Sequence, residues 1–488
     1  MKSSLSKLHF NVLFIAALLA LFALPITAAE IPAQLPDPDS KAPSTTKPVK
    51  VYILSGQSNM VGIGQISGGG TRWDGITGAT VSVYAGKYSA DVDYDKLTPT
   101  KTQELPAYGG TNPTPFPGGG VQIAKGFLEI KTTGVYKLKP GYGNSSYNIM
   151  QLDGVEVHRR EVGKDPKYTL FKIEAGKKYP FKITFLTDAA DGLGWFERTD
   201  IPGTLETLVK AQGKFPHLLD DKGEWTVRND VIYHGLITAT GKGPLTPGVQ
   251  GNTIGPELQF GHIMGYYHDE PVIIIKSSQG NRSLGWDFLP PGSERFTQDG
   301  TTYAGYKDTP ESWVEGQPKK EVNWYAGKQY DDCFEAVHKV LNNFGTEYPQ
   351  YKEQGYEIAG FVWWQGHKDG GSAVHAARYE QNLVRLIKSL RKEFKAPEAP
   401  FVVATIGFNG WKMEGNQLTI ANAQLAVSGD KGKYPDFVGN VKTVETRDYW
   451  PQVSESPRNQ DFHYHGNAGT YMMVGDAMGR AMVELLSK

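Results

Sequence analysis

Four short stretches combine side chains able to move protons with backbone able to come close to a substrate. The first is Ser55-Gly56-Gln57-Ser58-Asn59-Met60. A serine set between a β-branched run and a helix start exposes its hydroxyl and its amide to one space, as an acyl-transfer nucleophile requires. A serine in that place also serves as a plain helix N-cap. The second stretch is Ser277-Ser278-Gln279-Gly280-Asn281-Arg282-Ser283. Gly280 lets the backbone approach a ligand and lend its amide; the plainer reading is a turn. In the third, Trp363-Trp364-Gln365-Gly366-His367-Lys368-Asp369, the Gln365 side-chain amide is a candidate donor to a developing oxyanion, beside two indoles that also read as buried packing. The fourth is Asp461-Phe462-His463-Tyr464-His465. Read as extended chain, it points Asp461 and His463, or His463 and His465, to one face. Two histidines so spaced also suit a metal, but no third ligand cluster such as HExxH accompanies them, so no metal is expected.

The chemistry these residue types allow is ester hydrolysis. A serine hydroxyl is a poor nucleophile at neutral pH and needs a base within hydrogen-bond reach; histidine can take and return that proton. Attack on an ester carbonyl leaves negative charge on oxygen, which aimed donors hold, and water then releases the acid from the acyl-enzyme without any cofactor.

Such groups must be carried by strand ends. KPVKVYIL (47–54) reads as a buried parallel strand, and PVIIIK, EIAGFVWWQ and APFVVATIG repeat the pattern. Helical rhythm appears in TLETLVKAQGKF, in GPELQFGHIMGYYH, around Asp331 to Phe344, in AARYEQNLVRLIKSLRKEF and in the final NAGTYMMVGDAMGRAMVELLSK. Strands alternating with long helices predict an α/β fold, a doubly wound parallel sheet with helices on both faces. In such a sheet the functional loops leave the carboxyl ends of the strands, where all four stretches fall. Between residues 84 and 202 the period changes to alternating apolar and polar residues between glycine turns, which predicts an inserted antiparallel β-sandwich. The expected division is therefore 1–29, 30–46, 47–83 with 203–488, and 84–202.

The 488 residues hold 51 basic and 52 acidic side chains, for a formal charge of −1, and 21% are charged. That balance provides no global field for nucleic acid or an acidic membrane. Lys2 and Lys7 precede an apolar run from Val12 to Ile26 ending in Thr27-Ala28-Ala29, the pattern of a secretory signal peptide cleaved near Ala28 or Ala29. The expected mature protein is secreted or periplasmic and free of the membrane. Residues 30–46, rich in Pro, Ser, Asp and Thr, read as a flexible leader. The single cysteine, Cys333, permits no internal disulfide and sits in a helical rhythm as a buried structural thiol.

GQSNM after the first strand, PVIIIKSSQGNRSL with the downstream DFLPPGS, VWWQGHKDG and DFHYHGNAGTYMMVGDAMG together resemble the SGNH hydrolase superfamily, and within it the sialate O-acetylesterase branch close to carbohydrate esterase family six. The resemblance covers residues 47 to about 83 and about 203 to 486 and implies an SGNH, flavodoxin-like sheet. Residue by residue it implies Ser58 as nucleophile, His463 as general base and Asp461 as its orienting acid. It further implies an oxyanion hole of the Ser58 and Gly280 amides with the Gln365 side chain. The chain departs from the superfamily's usual D-x-x-H spacing with D-x-H, which puts the orienting acid in doubt and keeps His465 open as an alternative base. Gln57, Asn281, Arg282, Trp364 and His367 are candidates to shape the substrate pocket. The implied partner is an acetylated carbohydrate, with no metal or organic cofactor.

The stretch from Gly126 to Phe185 resembles the protective-antigen-type β-sandwich of secreted carbohydrate-active proteins, with a Gly-Val-Tyr strand, a Leu-Asp-Gly turn and an Ala-Gly-Lys turn. It carries no paired-Asp calcium motif; Asp188 and Asp191 read as turn formers. A secreted serine esterase that removes acetyl groups from carbohydrate is the function expected, against a non-catalytic glycan-binding protein on the same scaffold. The joint presence of Ser58, Gly280, Gln365 and a downstream Asp-His set argues for the enzyme. A long-chain esterase is disfavoured because no long apolar lid segment is visible.

Overall fold

A computed structural model describes residues 31–38, 42–72, 76–89, 91–105, 120–140, 147–161, 163–186 and 195–488. The signal-peptide reading, Asp188 and Asp191 lie outside the described residues.

The principal sheet has seven strands: β1 (Val49–Gly56), β2 (Arg228–Ile237), β3 (Lys242–Leu245), β4 (Val272–Ser278), β5 (Tyr356–Trp364), β6 (Phe401–Ala404) and β7 (Val441–Val444). They lie side by side in the order β3-β2-β4-β1-β5-β6-β7. All neighbours are parallel except the β2–β3 hairpin at one edge. Every residue of β4 is buried, as expected of a strand covered on both faces. Beside a short turn of helix at Phe344–Glu347, the described residues form helices α1 (Ser58–Val61), α2 (Glu257–Tyr267), α3 (Lys328–Asn342), α4 (Ala373–Glu393), α5 (Gly415–Ala426) and α6 (Ala468–Leu486). Because strand side chains alternate, Trp363 of β5 meets Tyr379 of α4 while Trp364 meets Tyr471 of α6 on the other face. Among the described residues no helix is long and apolar enough to cross a membrane.

The doubly wound α/β fold is present, and the four strands read from the sequence are β1, β4, β5 and β6. Strand β2 escaped that reading because buried polar residues interrupt its apolar run: Arg228 pairs with Asp230, and His234 meets the Tyr348 hydroxyl. The helix expected across TLETLVKAQGKF is present but short, running over residues 205–211 with a wide turn at Thr207–Ala211. Cys333 is buried on α3, and burial pushes its thiol up to about 11.

Between Gly70 and Arg198 the chain forms a seven-stranded and a four-stranded antiparallel sheet enclosing their own core, with Val81, Ala124, Leu138, Met150, Ile183 and Phe185 buried. The boundary expected at residue 83 is corrected. Gly70–Arg72 pairs with Trp195–Arg198, and Ile76–Tyr84 pairs with the strands at Lys101–Leu105 and Val121–Leu128, so the insert opens near Gly70. A β-branched run such as TVSVY suits either sheet, and pairing alone decides it.

The leader is also corrected. Ile31 and Leu35 are buried in the main core, and Arg480 of α6 donates from Nη1 to the Ile31 carbonyl at 2.7 Å and from Nη2 to that of Pro32 at 2.8 Å. Two apolar residues among prolines show no period in sequence, yet the successive carbonyls of Ile31 and Pro32 fit a guanidinium fork.

Candidate active site

Three strand ends stand level at the centre of the sheet: Ser55 opposite Ser277 and Trp363, Gly56 opposite Ser278 and Trp364. The chain winds to one side of β1 through β2 and β4 and to the other through β5, β6 and β7, so this is the sheet's switch point. Gly56 permits the close approach, since a Cβ there would lie 2.1 Å from the Trp364 carbonyl oxygen. The chain then turns into α1, leaving Ser58 half-buried at its first position. A Cβ placed on Gly280 would stand 3.6 Å from Ser58 Cβ, so the loop after β4 faces the serine. Among the described residues neither the Ser58 nor the Gly280 backbone N–H has a hydrogen-bond partner. Both are free to serve an incoming oxyanion.

The short helix is anchored from below by Lys276. This fully buried ammonium donates to the Val61 carbonyl, Gln250 Oε1 and Glu257 Oε2, each at 2.7 Å. Burial lowers its pKa, and Glu257 opposes that fall.

Gln365 lies beside the serine segment but is not an oxyanion donor, which corrects the sequence reading. It is 1% exposed, and its Nε2 points at Gln57 Oε1 (3.3 Å), the Arg282 carbonyl (2.9 Å) and Asp369 Oδ2 (2.6 Å). Its Oε1 accepts from the Tyr379 hydroxyl at 2.9 Å. With two N–H groups and three internal acceptors, nothing is left over for a substrate. Gln57, read as a substrate contact, is likewise internal: its buried Oε1 also accepts from the Gly366 and Lys368 amides. Asp369 completes the knot by accepting from the Leu284 and Gly285 amides at 2.9 and 2.8 Å. Burial raises its carboxyl, while His375 and these hydrogen bonds pull it down. The knot ties the loops after β1, β4 and β5 together.

The segment Asp461–Gly466 is a kinked turn, not extended chain; Tyr464 and His465 have φ of 48° and 54°. Alternation therefore fails there, and the three polar side chains separate. His465 is buried against Trp450, its Nδ1 accepting from the Gln460 amide at 3.0 Å. That turns it away from the role of base. Asp461 is exposed and accepts from the Phe462 amide. Burial lowers the pKa of His367 and His465 and the Asp461 charge only opposes that fall, while among the described residues its one hydrogen bond is to a backbone amide and none reaches His463, so the orienting role expected of Asp461 is corrected. His463 is half-buried, and burial, then the charges of His367 and Arg458, lower its pKa to about 4.

Asn59 and Tyr471 bring this turn to the serine. Asn59 Nδ2 donates to the Phe462 carbonyl at 3.2 Å, and the Tyr471 hydroxyl reaches Asn59 Oδ1 at 2.7 Å and the His463 carbonyl at 3.3 Å. The residue next to Ser58 is thus bonded directly to the backbone beside His463. Sequence reading gave no role to Asn59, Asp369, Lys276 or Tyr471, although Asn59 and Asp369 lie inside stretches already singled out.

Of the remaining candidates, Trp364 is buried, with Nε1 on the Thr405 carbonyl at 3.1 Å and its ring stacked on Tyr464, so it supports the site without facing substrate. Asn281 is exposed beside Gly280. Arg282 lies partly exposed over the Trp324 ring, its Nε on Gln329 Oε1 at 3.1 Å. His367 packs between Phe408 and Phe462 and lines a cavity of about 420 Å³ with Glu414, Gln417, Trp450 and Asp461. Among the described residues no cluster of three His, Cys, Asp or Glu could hold a metal ion.

A family model described as "Carbohydrate esterase, sialic acid-specific acetylesterase" matches residues 217–484, more than half of the chain, a span that includes Gly280, Gln365 and His463. No curated protein matches the chain. Among solved structures, NanS is 13% identical over 90% of this chain and 98% of its own, with a TM-score of 0.32. A carbohydrate acetylesterase from Xanthomonas citri is 11% identical over 74% of this chain and 70% of its own, with a TM-score of 0.35. A protein from Arabidopsis thaliana is 15% identical over 53% of this chain and 82% of its own, with a TM-score of 0.34.

Proposed function

The chain belongs to the sialic acid-specific acetylesterase family of carbohydrate esterases, and from that premise we propose that it removes O-acetyl groups from sugars through an acyl-enzyme on Ser58, with His463 as general base. The observation that carries this assignment is the bonding of Asn59 to the Phe462 carbonyl and, through Tyr471, to the His463 carbonyl.

In the first step the Ser58 Oγ–H proton passes to the imidazole as Oγ bonds to the acetyl carbon. The carbonyl oxygen takes up the negative charge and meets the free N–H groups of Ser58 and Gly280. Collapse breaks the bond to the sugar oxygen, which leaves with the proton returned by the imidazolium. Water, deprotonated by the same imidazole, then frees acetate and restores Ser58. A pKa lowered to about 4 keeps His463 neutral, and so able to accept a proton, through the whole neutral range. The catalytic unit is read as a Ser–His pair on a scaffold fixed by the Gln57–Gln365–Asp369 knot, with Asp461 outside it. Export through an N-terminal signal and action outside the cytoplasm belong to the same reading.

Ser58→Ala should abolish release of chromophore from a chromogenic acetate ester, by about 10⁴-fold or more, with an unchanged melting temperature. A variant that keeps wild-type turnover would remove Ser58 from the chemistry.

A further inference from the structure

Trp411 is the most exposed large apolar side chain among the described residues, at 64%. It is nevertheless held at its edge and on one face. Its Nε1 donates to Asp448 Oδ1 at 2.6 Å, and the Arg447 guanidinium covers one ring face at 4.2 Å from the centroid. Arg447 is itself fixed by two bonds to Glu445, Nε to Oε1 at 2.9 Å and Nη2 to Oε2 at 2.6 Å. An indole pinned at its edge and backed on one face has little freedom left to lose, so its open face is pre-organised for a flat partner.

Its position says which partner. Trp411 occupies the turn Gly410–Lys412, and the residues on either side, Asn409 and Met413, line the cavity that holds His367, Trp450 and Asp461. In the hydrolysis proposed above, the sugar oxygen departs by taking a proton from His463, so the sugar lies on the imidazole's side of Ser58; Asp461 and Phe462, the two residues before His463, line this cavity. A chain that continued from that sugar into the cavity would meet the turn that carries Trp411 between two lining residues. The acceptor groups of Glu414, Gln417 and Asp461 in the cavity suit hydroxyl-rich rings, and an aromatic face suits the C–H face of a pyranose.

We propose that Trp411 is a stacking platform for the sugar unit adjoining the acetylated one, and that the substrate is a glycoside of at least two units. The proposal rests on the esterase reading. Its test measures kcat/KM for two pairs of substrates: acetylated xylose against acetylated xylotetraose, and O-acetylated N-acetylneuraminic acid against the same residue in sialyllactose. Wild-type enzyme should prefer the longer member of at least one pair by about three- to tenfold, the loss residing in KM on Trp411→Ala, whose ratio falls to about one. Trp411→Tyr should restore it. Comparing ratios within one variant removes the effect of misfolded protein. An unchanged ratio in Trp411→Ala, or no length preference in the wild type, overturns the platform. Should the wild type release no acetate from any substrate, the esterase reading fails. Calorimetric titration with unacetylated xylotetraose and sialyllactose then decides the platform separately: weaker binding by Trp411→Ala supports it, and equal or absent binding overturns it.

Discussion

Asp461→Asn should leave kcat on a small chromogenic acetate within about threefold of wild type. An orienting carboxylate buried on its histidine would lose about 10⁴-fold on the same change. The expectation follows from the exposed carboxylate, whose hydrogen bond goes to the Phe462 amide and not to the His463 ring. The pH profile provides a second check at this scale. An imidazole of ordinary pKa near 6.5 would begin to lose activity below neutrality. With His463 lowered to about 4, kcat/KM should hold level through the mildly acid range and fall only as protonation sets in near that value. Ser58, Gly280 and His463 stood out in the sequence by their place at a strand end or ahead of a helix; in the structure the loop of Gly280 faces Ser58, and Asn59 bonds the turn that carries His463. Gln365 and Asp461 were misread for a physical reason. Residue type shows what a group can donate or accept, but only packing shows that Gln365 spends its N–H groups on Arg282, Asp369 and Gln57.

Removing the ammonium beneath α1 tests the elements that hold the serine. Lys276→Met strands a buried Glu257 carboxylate and the Val61 carbonyl, and should cost about 3–5 kcal/mol, read as a lowered denaturation midpoint. Gly56→Ala should impair both folding and turnover, since a Cβ has no room 2.1 Å from the Trp364 carbonyl oxygen. Gly280→Ala is the contrast. Its Cβ makes an ordinary 3.6 Å contact with Ser58 Cβ, so the protein should fold normally while acetyl-ester turnover drops, because the methyl occupies space beside the nucleophile. The apolar strands β1, β4, β5 and β6 could be read directly from sequence. Strand β2 could not, because Arg228, Asp230 and His234 break its apolar run; Arg228 and Asp230 pair with each other within the strand and His234 with the distant Tyr348, and hydrophobic pattern does not record the burial of such pairs.

Acid should weaken the molecule as a whole. Burial lowers the pKa of His217, His234 and His262 in the α/β part, and that of His158 in the inserted sandwich to about 4. The unfolded chain binds these protons at about 6.5 and the folded chain does so only at lower pH, so unfolding takes up protons in between. Stability therefore falls as pH drops from about 6.5 toward 4, which thermal unfolding across that range would register. Deleting residues 31–38 should lower the melting temperature as well, because Ile31 and Leu35 leave the core and the Arg480 fork loses two carbonyls. The change of period between residues 84 and 202 showed that a second fold interrupts the first, but its true edge depended on which strands pair.

That edge is a single doorway. Gly70–Arg72, where the chain enters the sandwich, is hydrogen-bonded to Trp195–Arg198, where it leaves, and the Glu206 amide then bonds the Ile66 carbonyl on the way back. Entry and exit standing side by side make the sandwich a cassette: a tight loop could bridge the gap at Gly69 and Thr199 while the surrounding sheet kept its register.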